Sequence, residues 1–248
     1  MTTLLVFSLS LFGAFAQPDN YPIKGQIDRT VQLSAGATVD VKGVEGPLTI
    51  ETGDVSTAEI HWTREALTQK DYDCETIDIT ESTSALTITH RTDHSCHVIQ
   101  ARENMRLVLP RSASITADGI EGSVTIGDTE GDLSLGGVEG AVKVERLRSA
   151  RLRGIEGSVT FSVDQLVRNG LVLDGIEGAV NIAVSDGVNA DVKISGVEGP
   201  ISIPGAVANV RSQNDDDDND RIREARLGSG GTPISIRGIE GSVTIRRR

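Results

Sequence analysis

The chain has 248 residues and a formal net charge of −12, and this length permits one elongated domain or two modest ones. The acidic balance argues against nucleic acid as a partner, because phosphate binding needs a basic surface. Aromatic residues make up 3% of the chain, far fewer than proteins use to stack sugars or bases.

The first segment, residues 1–16, has the pattern of a secretory signal peptide. Leu4 to Ala16 is an uncharged apolar run that ends in Ala14-Phe15-Ala16, an A-x-A cleavage pattern. The run is short for a membrane span, and no second apolar run of spanning length follows. We therefore expect an exported protein, periplasmic or extracellular and at the cell surface, without a transmembrane anchor.

After a lead-in over residues 17–38, we expect one β-repeat domain over residues 39–248. Its defining feature is the sequence Gly-(Ile/Val)-Glu-Gly, which occurs seven times. The copies begin at Gly43, Gly119, Gly137, Gly154, Gly175, Gly196 and Gly238. From the second copy to the sixth the steps are 18, 17, 21 and 21 residues, and the last step of 42 is twice 21. A repeat of this length is too short to bury its own apolar face and must stack on its copies.

Each copy lies in a longer cassette, for example Leu133-Ser-Leu-Gly-Gly-Val-Glu-Gly-Ala-Val-Lys-Val144. Both halves alternate apolar and polar residues, as half-buried strands do, but the alternation changes phase at the first Gly. A bulge or bend at that Gly would let both halves face one core, and Gly tolerates the positive φ of such a corner. The pattern predicts an all-β solenoid, either a single-stranded parallel β-helix or β-roll-like, with coils about 4.8 Å apart. A two-sheet antiparallel sandwich is the alternative.

The repeat is interrupted over residues 51–114, where alternating segments predict further strands. They lie near Ala58–Arg64, at Glu75–Thr80 and Ala85–His90 joined by a short turn, and at Met105–Leu109. We expect an antiparallel or mixed N-terminal cap, since the open end of a solenoid must be protected from edge-to-edge pairing.

The two cysteines, Cys74 and Cys96, flank the predicted hairpin. In an oxidising compartment they would form a disulfide that ties its base. The competing interpretation is a zinc site that adds His94 and His97, but the spacing matches no standard zinc finger.

Regular coils are expected over residues 115–203, followed by an acidic loop insertion over 204–232 and a terminal coil over 233–248. The insertion carries five aspartates that could offer oxygen ligands to Ca²⁺, namely Asp215, Asp216, Asp217, Asp218 and Asp220. No EF-hand spacing is present, and a disordered acidic loop is the favoured alternative.

Leu107-Val-Leu-Pro110, the Gly-x-x-Gly-x-(Val/Ile) coils that follow, and the segment Gly230–Ile236 carry a family resemblance. Over Val39 to Ile245 the chain resembles the bacterial putative-adhesin family of β-strand-repeat domains, which is largely of unknown function. The resemblance implies an exported β-helical or β-roll domain that binds or scaffolds at the cell envelope, and it supplies no catalytic residues. That family often has Asn or Asp where this chain repeats Glu.

The repeated glutamate is the main candidate for a binding site. Stacked coils would align Glu45, Glu121, Glu139, Glu156, Glu177, Glu198 and Glu240 as a row of carboxylates. Neighbours at about 4.8 Å repel by about 1 kcal/mol each even in water, which invites a compensating cation or basic partner. The alternative is an exposed charged face that deters aggregation, eased by Lys42, Arg153 and Arg237.

No sequence signature of catalysis is present, neither a nucleophile elbow nor a metalloprotease, phosphate-loop or dinucleotide motif. We therefore expect a non-enzymatic module without a cofactor, whose ligand is an envelope or extracellular protein or polysaccharide. One alternative is a carbohydrate-active β-helix enzyme, a lyase or hydrolase, using carboxylates with Arg148, Arg151 and Arg153. The other is a structural envelope protein that self-associates.

Overall fold

The computed structural model describes residues 21–248 except residues 94, 97, 98, 168, 204–206 and 213–220. Within this part the protein is all-β, with two large mixed sheets and one short helix. The elements are β1 Ile23–Gln32, β2 Thr38–Lys42, β3 Leu48–Gly53, β4 Thr57–Ala66, α1 Gln69–Asp73, β5 Glu75–Glu81, β6 Ala85–Thr92, β7 Ala101–Pro110, β8 Ser114–Ile120, β9 Val124–Asp128, β10 Leu133–Val138, β11 Val142–Arg146, β12 Ala150–Ile155, β13 Val159–Val163, β14 Leu171–Ile176, β15 Val180–Val184, β16 Ala190–Val197, β17 Ile201–Ser202, β18 Val207–Ser212, β19 Arg221–Leu227, β20 Thr232–Ile239 and β21 Val243–Arg247.

Each cassette contributes one strand to each sheet. The first sheet has the strand order β1-β4-β7-β3-β9-β11-β13-β15-β21-β17, and the second has β18-β19-β16-β20-β14-β12-β10-β8-β2-β6-β5. Equivalent cassette strands pair in parallel and in register, so that Leu135 lies between Ala117 and Leu152. The all-β class is confirmed. The two sheets are open, and the closed coil of a solenoid stays a prediction.

The change of phase at the first Gly is resolved as the sequence predicts. In β10, Leu133, Leu135 and Val138 are all buried although they do not share one alternation. The Gly137 between them has φ +55°, and the first Gly of every copy has a φ between +55° and +71°. This left-handed corner lets both strands of a cassette direct their apolar side chains into one core.

The second Gly of each copy has a different role, which the sequence analysis did not assign. A Cβ added at Gly157 would lie 2.6 Å from the backbone of Gly140, and the equivalent clash recurs at every copy. Successive corners therefore stack backbone on backbone, and only Gly allows that approach.

The spatial order of the cassettes differs from their order in the chain. The last cassette lies between the two that precede it, because β20 pairs with both β14 and β16, and β21 pairs with both β15 and β17. The preceding segment forms β18 and β19, which extend the second sheet in antiparallel fashion beyond β16. The chain thus leaves the stack and returns one layer earlier.

The segment between the first and second cassettes, together with β1, forms the opposite end of both sheets. In the first sheet β1, β4 and β7 pair antiparallel, and β7 joins β3 in parallel. In the second sheet the hairpin of β5 and β6 joins β2 through β6. We call β1, β4, β5, β6 and β7 the cap strands.

Candidate binding face and buried charge cluster

The seven repeated glutamates lie at neighbouring corners of the stack. In six of them, all but Glu45, the backbone N–H donates to the carbonyl of the residue that precedes the glutamate in the adjacent corner, as Glu139 does to Ile120 at 3.0 Å and Glu240 to Ile176 at 3.0 Å. These bonds give the order Glu45, Glu121, Glu139, Glu156, Glu177, Glu240 and Glu198. We call this set the glutamate row.

Six carboxylates of the row have no partner within the described part of the chain. They make no side-chain hydrogen bond or ion pair there, and all six residues are exposed: Glu121, Glu139, Glu156, Glu177, Glu198 and Glu240. Their negative charge is therefore directed to solvent.

Two of the cations expected to ease the row are paired with other carboxylates. Lys42 Nζ lies 2.7 Å from Asp40 Oδ2, and Arg237 Nη2 lies 2.6 Å from Asp174 Oδ2. The first pairing raises the pKa of Lys42, and the second lowers the pKa of Asp174. The third cation, Arg153, also acts electrostatically on Asp174. These side chains balance the outer face of the second sheet.

Glu45, at the cap end of the row, is less exposed than the other six glutamates. Glu45 is half-buried, and its Oε1 accepts a hydrogen bond from Thr92 Oγ1 at 3.0 Å. Burial raises the pKa of Glu121, and the neighbouring charges of Glu45 and Glu139 raise it further. Electrostatic repulsion between neighbouring carboxylates of the row therefore contributes to the raised pKa of Glu121.

Behind Glu45 lies a cluster of buried ionisable side chains on the cap strands. The cluster consists of four buried residues, Arg64 on β4, Glu75 on β5, His90 on β6 and Glu103 on β7. Arg64 Nη2 contacts Glu75 Oε2 and lies 3.3 Å from Glu103 Oε1. His90 Nε2 lies 3.3 Å from the same Glu103 oxygen. The stacked corners set this position, because the backbone of Glu103 lies directly against Gly46.

Arg64 is held from the backbone side as well. Its Nη1 donates to the carbonyl oxygens of Tyr72 at 3.0 Å and Glu75 at 2.7 Å. The guanidinium carbon lies 5.7 Å from the Trp62 ring centre and 5.5 Å from that of Tyr72. Desolvation lowers the pKa of Arg64, although the nearby carboxylates Glu103 and Glu45 oppose this effect. The guanidinium is therefore a fixed positive charge in the cluster.

This cluster was not among the predicted sites, although the alternation of the cap strands contained a signal for it. Arg64 shares the buried phase of β4 with Ala58, Ile60 and Trp62. His90 shares that of Leu86 and Ile88, and Glu103 shares that of Met105 and Leu107. A charged residue in the apolar phase of a strand is expensive to bury alone, so three such residues predict a mutual cluster.

No protein-family model matches the sequence, and no curated protein matches it. Among solved structures, a putative cell adhesion protein from Clostridium sporogenes is similar over 90% of this chain and 100% of its own, with 13% identity and a TM-score of 0.43. A putative adhesin from Bacteroides fragilis is similar over 92% of this chain and 99% of its own, with 14% identity and a TM-score of 0.36.

The disulfide prediction is confirmed. Cys74 and Cys96 are bonded, with 6.2 Å between their Cα atoms. The competing zinc set includes His94 and His97, which lie outside the described residues, as do the signal-peptide segment and the aspartates at 215–218 and 220. No helix among the described residues is long and apolar enough to cross a membrane.

The arginines considered for a carbohydrate-active enzyme are divided between two places. Arg148 pairs with Glu130 at 2.8 Å. Arg151 and Arg153 are exposed on β12, where they line a shallow groove together with Asp118. The groove combines an acid with cations, but it lies on a flat, open sheet face.

Proposed function

We propose that the protein is an exported, non-enzymatic binding or scaffolding module of the bacterial cell envelope, and that the glutamate row is its binding face. The observation that carries the proposal is the alignment of seven carboxylates, six of which have no partner within the described residues. In parallel strands the spacing of such a row is about 4.8 Å. The two open sheets joined at the corners would then form the flattened coil of a β-solenoid.

The partner of such a face would be an extended chain of regularly spaced positive charges. Each exposed ion pair contributes little by itself, on the order of 0–1 kcal/mol. Once one contact has formed, the others form within the same complex at a high effective concentration. Several weak contacts along one rigid row can therefore give a much higher total affinity than any one of them. A basic protein segment or an amine-bearing polysaccharide of the envelope has this chemistry.

Export is supported by the disulfide as well as by the apolar run at residues 4–16. Disulfides persist in oxidising compartments and are rare in the bacterial cytosol. The bond between Cys74 and Cys96 ties the hairpin at the cap end of the row. A location outside the cytoplasm also gives the row access to envelope polymers.

The proposal is tested with a lysine oligomer of about eight residues as the probe and isothermal titration calorimetry as the measurement. In the row variant, Gln replaces Glu139, Glu156, Glu177, Glu198 and Glu240. The matched control removes five exposed carboxylates elsewhere, by changing Asp54, Asp78 and Asp186 to Asn and Glu59 and Glu145 to Gln. Both variants therefore have the same net charge.

We expect the row variant to bind the oligomer at least tenfold more weakly than the control, with a weaker dependence on salt because it neutralises fewer charges. Equal losses in the two variants would mean that net charge alone attracts the oligomer, and the row would not be a binding face. An enzyme would be revealed by release of reducing or unsaturated sugars from acidic polysaccharides, abolished by Asp118→Asn in a folded variant.

A further inference from the structure

The interior of the cap contains more negative than positive charge. Glu75 and Glu103 are 3% and 6% exposed, and Arg64 is fully buried between them. The half-buried Glu45 closes the cluster on the side of the glutamate row, with Oε1 4.0 Å from His90 Nδ1. Three carboxylates thus face one guanidinium, which leaves two negative charges uncompensated when His90 is neutral. Buried charges are strongly unfavourable unless they are paired.

The polar atoms of the cluster are also short of partners. Among the described residues, the oxygens of Glu75 and Glu103, His90 Nε2, and Nε and Nη2 of Arg64 make no hydrogen bond, although Arg64 Nη2 and His90 Nε2 each lie 3.3 Å from Glu103 Oε1. Buried polar atoms in folded proteins are nearly always bonded to protein, water or an ion. The four carboxylate oxygens and His90 Nε2 lie together with one guanidinium as the only cation among them in the described residues, and this surplus of electron pairs points to a bound cation.

We propose that Glu45, Glu75 and His90 bind a divalent transition-metal ion of the zinc type. One ligand atom from each residue can be chosen such that all three lie within 4.8 Å of one another. Ligands arranged tetrahedrally around zinc at 2.0–2.1 Å lie roughly 3.3 Å apart, so a small rotation of the Glu45 side chain closes the set. Glu103 is within reach as a further ligand or as the partner of a bound water.

The donor set selects the class of ion. Neutral imidazole suits zinc and its neighbours in the first transition row, whereas Ca²⁺ and Mg²⁺ prefer sites made entirely of oxygen. The two charges of the ion equal the two that are uncompensated. Arg64, fixed by the Tyr72 and Glu75 carbonyls, would orient the carboxylates from outside the coordination sphere, as such residues do in metal sites.

The site would also have a structural consequence. Its ligands come from the first corner, β5 and β6, and Glu103 adds β7 of the other sheet. A bound ion would therefore fasten the cap strands of both sheets to the first carboxylate of the glutamate row. This inference does not depend on the row being a binding face.

The test is a titration of the chelator-treated full-length protein with Zn²⁺ by calorimetry and with Co²⁺ by visible absorption. We expect one ion per chain, and at least tenfold weaker binding of Ca²⁺ and Mg²⁺. Glu45→Gln and His90→Gln should each lower the Zn²⁺ affinity at least tenfold, whereas Glu139→Gln, in the same row but outside the cluster, should leave it unchanged. Saturating Zn²⁺ should raise the melting temperature of the parent by more than that of the first two variants.

Glu45→Gln is less disruptive to folding than His90→Gln, because Glu45 is half-buried and a Gln fits there without leaving a cavity. Circular dichroism would show that each variant is folded. No binding of Zn²⁺ or Co²⁺ by the parent would overturn the proposal. Binding that Glu45→Gln and His90→Gln leave intact would also overturn it, because the ion would then lie elsewhere.

Discussion

The stacked cassettes and the cap strands differ in where their ionisable side chains lie. In the cassettes the strands alternate on either side of the glycine corner, and the ionisable residues of β10 to β15 lie outside the core. In the cap, four charged or titratable side chains from four strands meet in the interior. The cassettes are thus stabilised by repeated apolar layers, whereas the cap depends on a few specific polar contacts. The difference predicts that single substitutions will be most damaging in the cap.

The largest effect is expected for Arg64→Met, which removes the buried cation and leaves Glu75 and Glu103 without it. Breaking a buried pair on one side destabilises a protein by about 3–5 kcal/mol. Arg102→Met is the control, because Arg102 pairs with Glu65 on the exposed side of the same sheet and such pairs contribute about 0–1 kcal/mol. Urea unfolding measures both. Similar losses in the two variants would show that the cluster is not a special feature of the cap.

Removal of the disulfide is expected to have the second-largest effect on stability. Changing both Cys74 and Cys96 to Ser should lower the free energy of unfolding by about 3 kcal/mol, as expected for a closed loop of this size. The parent measured with a reductant should behave like the variant. If the parent keeps its disulfide and is no more stable than the variant, the disulfide does not stabilise the cap.

Within the cassettes, the stacking glycines should be more sensitive than glycines in turns. Gly157→Ala places a Cβ 2.6 Å from the Gly140 backbone, and such overpacking destabilises by about 1–3 kcal/mol. Gly187→Ala is the control, since an added Cβ there meets no atom within 4 Å. If the two variants unfold at the same urea concentration, the corners do not stack as closely as described.

The smallest effect concerns the pH dependence at the cap end of the row. The folded pKa of Glu121 lies above its ordinary value of 4.5, so the folded state binds this proton more tightly than the unfolded state does. The parent should therefore lose stability relative to Glu121→Gln as the pH rises from about 4.5 through the raised pKa. Glu139→Gln is the comparison within the row. A difference between parent and Glu121→Gln that does not change with pH would contradict the assigned repulsion.

The strands and corners could be predicted because they depend on local information. Alternation indicates which side chains are buried, and the phase change at Gly137 requires a left-handed residue there. The order of the cassettes could not be predicted, because the layer around Val138 is chemically equivalent to the layers around Ile155 and Ile239, and any of them could be neighbours. The position of β20 depends on its pairing with both β14 and β16, and the sequence of one cassette does not determine that pairing.

The candidate site divides in the same way. The glutamate row follows from one repeated residue and one repeated corner, so it could be predicted without knowing the order. The buried cluster depends on four strands brought together by the cap, and only the charged residues in apolar phase hinted at it. Its geometry required knowing that β4 and β7 face β5 and β6 across the core.

The continuity of the glutamate row is tested most directly by disulfide trapping. In the described order Glu240 lies between Glu177 and Glu198, so positions 177 and 240 are one layer apart, about 4.8 Å, and positions 177 and 198 are two layers apart. Disulfides form when Cα atoms lie about 4.4–6.8 Å apart. Glu177→Cys combined with Glu240→Cys should form the new disulfide on mild oxidation, and Glu177→Cys combined with Glu198→Cys should not. The reverse result would contradict the order of the corners and the row built on it.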